Sequence, residues 1–223
     1  MVSRIRDWFR TAWHLLRSYF QTIRGAWKVA ALAQPVVSIF GGARIGQDYH
    51  YAKKAAELGG MLSQADISVL TGGGPGIMQA VSCGIKQLDG TGKGKTIGIG
   101  VTDLGEEAPN QCVHEYIELN YFFARKWLLT RYASGVVFFP GGFGTLDELF
   151  ELITLVQNKK TKRIPIVLFG VEYWKPMIEW LTHELYQHGF VTEQDLQLFT
   201  ITDDLNKVFC LLRDECTVEP LKF

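Results

Sequence analysis

The chain has 223 residues, 47% of them hydrophobic, and its 23 Lys plus Arg are matched by 23 Asp plus Glu. That length and apolar content suit one α/β domain with a substantial core, and a formal charge of zero excludes a global field that would gather nucleic acid or an anionic membrane, so any anion site has to be local. The four cysteines (Cys83, Cys112, Cys210, Cys216) form no CxxC pair; they read as reduced, buried thiols, and with no apolar run of roughly 18 to 20 residues and no clean apolar leader they predict a cytoplasmic protein.

Residues 4–30 place Ile5, Trp8, Phe9, Ala12, Trp13, Leu16, Phe20, Ile23, Trp27 and Ala30 at steps of three and four, which predicts an amphipathic helix with one apolar stripe. Arg6, Arg10, Arg17, Arg24 and Lys28 populate the rest of its surface. The stripe is expected to pack on the domain or on a second subunit, in preference to an anionic membrane. Residues 1–34 are accordingly assigned to this helix and 35–223 to one α/β domain.

After Pro35 the chain alternates short β-rich runs with helical segments. Strands are predicted at 36–40, 67–71, 96–101, 116–119, 135–139, 164–169 and 199–202. Helices are predicted at 47–64, 75–88, 121–133, 145–158, 172–187 and 203–215. Continuous apolar strands separated by helices predict an α/β fold, a parallel sheet of about seven strands with helices on both faces. Such sheets bind ligands beyond the carboxyl ends of their strands.

Three strand ends run into glycine: "SIFGGARIG" from Gly41, "VLTGGGPGIM" and "FFPGGFGTLDE". Glycine lets backbone N–H groups approach a ligand, and a helix starting just after it aims its unsatisfied amides and positive dipole end there, so phosphate is the expected guest. "DGTGKGKT" (89–96) lacks the first glycine of a Walker A loop and leads from helix to strand, the reverse of the required order. "GGARIG" (41–46) departs from the dinucleotide fingerprint. The helix predicted from 145 supplies the chemistry: with Gly144 or Thr145 as its cap, Thr145 can donate to phosphate. Asp147 and Glu148 then fall in the first turn, where they complement the dipole or serve another part of the ligand. Glu148 is placed to reach a ribose. The five histidines show no metal-ligand spacing, and no metal or cofactor is expected.

These residues resemble the LONELY GUY (LOG) family of phosphoribohydrolases, also labelled "lysine decarboxylase". Its PGGxGTxxE hallmark occurs as Pro140 to Glu148 (Pro140, Gly141, Gly142, Phe143, Gly144, Thr145, Leu146, Asp147, Glu148), its GGGxxGxM motif as Gly72 to Met78, and its Arg-Lys pair as Arg125 and Lys126. The resemblance covers about residues 35–213. It implies a Rossmann-like fold and hydrolysis of the N-glycosidic bond of a nucleoside 5′-monophosphate, AMP or a cytokinin riboside 5′-monophosphate, to free base and ribose 5-phosphate, by a homodimer or higher homo-oligomer. By resemblance the catalytic pair is Arg125 and Glu148. Phosphate is held by Gly73, Gly74, Gly76, Gly141, Gly142, Gly144 and Thr145, with Gly41, Met78, Lys126 and Asp147 as further contacts. Phe123 and Ala124 replace the Met-His of many plant-type members, and Asp147 replaces the first acid of the usual Glu pair.

Cleavage of a base–ribose bond develops positive charge on the sugar, which a nearby carboxylate stabilises; Glu148 is the expected group. Arg125 holds Glu148 ionised, contacts phosphate or positions the ligand. The alternative function is a noncatalytic module that carries a nucleotide or phosphorylated cofactor on the same loops. A pyridoxal-phosphate decarboxylase is the least favoured reading, because no lysine is nominated for the Schiff base.

Overall fold

Seven short strands carry the architecture: β1 (Val36–Phe40), β2 (Ser68–Thr71), β3 (Thr96–Val101), β4 (Glu115–Leu119), β5 (Gly135–Phe138), β6 (Ile166–Phe169) and β7 (Thr200–Thr202). In the computed structural model, which describes residues 2–32, 34–88, 93–102 and 109–213 and the side chains from residue 6 onward, they form one sheet in the order β4-β3-β2-β1-β5-β6-β7. Every pairing is parallel. All seven predicted strands occur, most of them trimmed by a residue or two at one end. Cys216, the end of the 203–215 helix, residues 89–92 of the Walker-like segment and the side chain of Ile5 lie outside the described residues.

Among the described residues eight helices connect or flank the strands: α1 (Val2–Ala30), α2 (His50–Gln64), α3 (Ile77–Lys86), α4 (Phe122–Arg131), α5 (Phe143–Gln157), α6 (Val171–Trp180), α7 (Glu193–Leu196) and α8 (Leu205–Leu212), with a π-helical turn at Leu181–Tyr186 continuing α6. Strand β1 shows why the chain folds in layers. Val36 and Phe40 point into one apolar layer with Leu128 of α4, Leu149 of α5 and Trp174 of α6. Val37 and Ile39 point into the other with Leu58 of α2, Val81 of α3 and Val208 of α8. Side chains alternate along a strand, so an unbroken apolar run is the sequence form of a strand covered on both faces. Helices α2 and α3 approach so closely that a Cβ on Gly59 would overlap the Val81 carbonyl and one on Gly84 the Ala56 carbonyl.

Two expectations are corrected here. The apolar stripe of α1 does not pack on the domain: Trp8, Phe9, Trp13, Phe20 and Trp27 are exposed. The helix instead buries Ser18, Gly25 and Val29, with Gly25 against Leu128 and Ile117. Gln21 donates to Asn120 at 3.3 Å and Lys28 pairs with Glu115. The described cysteines are not reduced thiols either. Cys83 on α3 is bonded to Cys112, which precedes β4, with their Cα atoms 4.8 Å apart, and Cys210 is also disulfide-bonded. Spacing along the chain carried no sign that the end of α3 and the β4 approach meet. The thiol argument for a reducing compartment therefore falls, and what stands is that no described helix is long and apolar enough to cross a membrane.

Candidate active site

Strand β1 sits between β2 and β5, and the chain winds away from it in opposite directions, through α2 to β2 on one side and from β5 to β6 on the other. At such a switch point the loops at the carboxyl ends diverge and leave a crevice. The loops after β1 and β5 are tied there by the Gly42 amide donating to the Pro140 carbonyl at 2.9 Å, and the Ile77 amide donates to the Gly42 carbonyl at 3.1 Å. Between them lies a cleft of about 760 Å³. Its walls include Gly41, Gly73, Gly74, Met78, Gly142, Gly144 and Thr145, together with Arg125, Asp147 and Glu148.

Helix α5 starts earlier than expected. Gly142 is its N-cap and Phe143 its first residue, so Asp147 and Glu148 lie in the second turn and the first turn has no acid. Their role as complements of the helix dipole falls with that shift, because the dipole acts within the first turn. Thr145 takes the first-turn place: it is buried, its amide donates to the Gly142 carbonyl at 3.0 Å, and its side chain borders the cleft. A Cβ on Gly141 would overlap Thr145 Oγ1, so that glycine makes room for the hydroxyl without bordering the cleft. Gly76 is likewise set back: its φ is +67°, and a Cβ there would overlap the Gly42 carbonyl.

Glu148 is the electrostatic centre. It is 6% exposed, and its Oε2 has no hydrogen-bond partner among the described residues. Burial pushes its pKa up to about 7, against the opposing pull of Lys126 and Arg125 and with help from the charges of Glu151 and Asp147. Burial of a carboxyl beside charged neighbours in a cleft is how proteins bring such a group into the neutral range. Arg125, in the first turn of α4, donates from Nε to the Ile99 carbonyl at 3.0 Å, and its guanidinium occupies the space a Cβ on Gly72 would need.

Lys126 points elsewhere. It pairs with Asp147 at 2.8 Å and Glu151 at 2.5 Å and does not border the cleft. Burial lowers its pKa, but the hydrogen bonds to Asp147 and Glu151 outweigh this and hold it above its ordinary value. Asp147 thereby gains an account that the sequence alone did not provide: it anchors the cation beside Glu148.

Sequence reasoning missed Tyr116 and Glu118 of β4, which also border the cleft. Tyr116 lies flat on β3, where a Cβ on Gly98 would fall 3.0 Å from its ring and one on Gly100 would overlap its hydroxyl. The alternating glycines of "TIGIGV" were the available signal, since glycine inside a strand marks a close approach. Asn110 was missed too. Its amide donates to the Gly73 carbonyl at 2.9 Å and its side chain to the Gly74 carbonyl at 3.0 Å. Among the described residues no cluster of His, Cys, Asp and Glu is arranged to hold a metal.

Residues 78–212 match the protein-family model described as "Possible lysine decarboxylase". Among curated proteins, the chain is 29% identical over 188 residues to a pyrimidine/purine nucleotide 5′-monophosphate nucleosidase of Escherichia coli K12, a match covering 79% of this chain and 41% of that protein. The chain thus spans about two-fifths of the length of the first curated relatives it matches. It is 24% identical over 192 residues to a cytokinin riboside 5′-monophosphate phosphoribohydrolase of Rhodococcoides fascians, covering 83% of this chain and 94% of that one. Among solved structures, the molybdenum cofactor binding protein of Rippkaea orientalis matches with a TM-score of 0.60 at 19% identity, covering 82% of this chain and 98% of that chain, a likeness of fold.

Proposed function

The chain belongs to the "possible lysine decarboxylase" family, the LOG family of the hallmark motif, and from that premise we propose that it hydrolyses the N-glycosidic bond of nucleoside 5′-monophosphates to free base and ribose 5-phosphate. The observation that carries this reading is Glu148, a buried carboxyl with an unpartnered oxygen and a pKa of about 7, at the edge of a glycine-walled cleft. In this reading the amides of Gly73, Gly74, Gly142 and Gly144 and the Thr145 hydroxyl hold the phosphate at the start of α5, while Gly76 and Gly141 shape those loops. Arg125 positions the ligand from beside Gly72. As the base leaves with the bonding pair, ionised Glu148 faces the positive charge growing on the sugar and orients the water whose oxygen bonds to C1′. The departing base takes up a proton.

The family description names a decarboxylase, a chemistry that needs a lysine to hold pyridoxal phosphate. No lysine is among the described residues bordering the cleft, and Lys126 is engaged by two carboxylates, so the site does not fit that cofactor. A carrier role for nucleotides or phosphorylated cofactors shares the same loops, but the likeness to a molybdenum cofactor binding protein is one of fold.

The test is a panel of purine and pyrimidine nucleoside 5′-monophosphates, AMP and a cytokinin riboside monophosphate included, assayed for free base and ribose 5-phosphate. Release from at least one, lost in Glu148→Gln while the ligand still binds, is the expected result; tight binding with no release from any of them assigns the carrier role instead. We further infer a homo-oligomer. Phe122 and Phe143 border the cleft and are exposed, Phe143 at 92%, and such an apolar rim is suited to burial against a second copy. Light scattering of the full chain and of Phe143→Glu tests this.

A further inference from the structure

Helix α1 meets the body of the molecule through its small and polar side, Ser18, Gly25 and Val29, which recur at steps of seven and four. Its apolar stripe is turned outward, with Trp8, Phe9, Trp13, Phe20, Ile23 and Trp27 between 49% and 73% exposed. Arg6, Arg10, Arg17 and Arg24 follow at steps of four, seven and seven, so they form one line along an edge of that stripe, while Lys28 beyond them pairs with Glu115. Where the two meet, Trp13, Leu16, Phe20, Arg17 and Arg24 border a shallow groove of about 380 Å³.

Charge is distributed as unevenly as hydrophobicity. The helix holds six basic residues and one acid, Asp7, a net charge of +5; because the whole chain sums to zero, the remainder carries −5. We propose that α1 is an interfacial helix that docks the molecule onto an anionic phospholipid surface. It lies in the plane of that surface with the aromatic stripe at the headgroup–acyl boundary and the basic line on lipid phosphates.

Three observations favour this occupant over a second copy of the chain. Tryptophan and tyrosine, here Trp8, Trp13, Tyr19 and Trp27, are the side chains that prefer headgroup depth. Pairing α1 with another α1 sets two helices of charge +5 together with a single acid on each. The negative remainder of the molecule is repelled by an anionic surface, which leaves α1 as the element that makes contact. The helix does not qualify as a membrane span, so it lies on the surface. None of this depends on the nucleotide reading of the cleft.

The experiment is co-sedimentation of the full chain with vesicles of phosphatidylcholine alone and with roughly one-third phosphatidylglycerol, followed also by tryptophan fluorescence. The expected result is binding to the anionic vesicles with a blue-shifted emission, and at least about tenfold weaker partition onto the neutral ones. Arg17→Glu/Arg24→Glu and Trp13→Ser/Phe20→Ser each lower binding at least about tenfold, and 0.5 M salt added to the wild type does the same, while circular dichroism and melting temperature stay unchanged, because these side chains are exposed. Equal binding to both vesicle types, or none to either, overturns the proposal. So does self-association that Trp13→Ser/Phe20→Ser abolishes in a chain that leaves anionic vesicles unbound, because the stripe then belongs to a second copy.

Discussion

Lys126 on α4 and Asp147 on α5 are joined by a 2.8 Å ion pair that fixes an ammonium group beside Glu148. Lys126 is the strongest of the influences holding the Glu148 pKa down against burial. Replacing it with methionine removes that influence and leaves Asp147 and Glu151 unneutralised, so the Glu148 pKa rises above about 7. If the carboxylate is the active form, kcat/KM climbs with pH through that pKa. In Lys126→Met the climb moves to higher pH by on the order of one unit. A pH profile of both proteins on one substrate checks this, and a coincident acidic limb rules out the coupling.

The same buried carboxyl opposes folding at neutral pH. Its folded pKa of about 7 lies above the ordinary 4.5, so the folded state binds the proton more tightly. Stability from this group is fully present below about 4.5 and is lost as pH rises to about 7. A shift of that size corresponds to about 3 kcal/mol, an order-of-magnitude figure. Glu148→Gln keeps the shape and removes the charge, so at pH 8 it melts several degrees higher than the wild type while losing turnover. Its thermal advantage shrinks as the pH is lowered towards 4.5. A variant that melts no higher at pH 8 contradicts the buried, unpartnered state of the carboxyl.

The glycine motifs were legible because their requirement is steric. Only glycine fits where Gly76 meets the Gly42 carbonyl at positive φ. Strands were legible because burial on both faces leaves an unbroken apolar run such as Val36–Phe40. Periodicity found α1 but not its neighbour, since a pattern states that one face is apolar without stating what covers it. The start of α5 was misplaced because Phe143, almost wholly exposed, gives no burial signal there. Tyr116 and Glu118 escaped because β4 is an edge strand, where partial burial hides which side chains meet a ligand.

Gly141 tests the phosphate cradle from a position that does not itself border the cleft. A Cβ at this position overlaps Thr145 Oγ1 and comes within 2.9 Å of the Gly42 amide nitrogen, so Gly141→Ala swings the hydroxyl aside or parts the two loops. The sheet beneath is unaffected, and the chain stays folded. The expected loss is at least about tenfold in affinity for a nucleoside monophosphate, the magnitude of a hydrogen bond to a charged group. Calorimetric titration measures it, and unchanged affinity removes Thr145 from the phosphate site.

The Cys83–Cys112 disulfide closes a loop with a sequence separation of 29 and anchors the segment from which Asn110 binds the Gly73 and Gly74 carbonyls. Constraint of the unfolded chain by a loop of that size is worth about 2–4 kcal/mol. Cys83→Ser/Cys112→Ser therefore lowers the melting temperature, by roughly 2–4 °C for each kcal/mol lost. Because Asn110 holds the second glycine loop and does not approach Glu148 in sequence or in hydrogen bonding, the loosened segment weakens ligand binding and spares the chemical step. KM for a nucleoside monophosphate rises several-fold with kcat nearly unchanged. Reduction of the wild type with dithiothreitol reproduces both effects, whereas a fall in kcat at constant KM assigns the bridge to the chemistry of Glu148 instead.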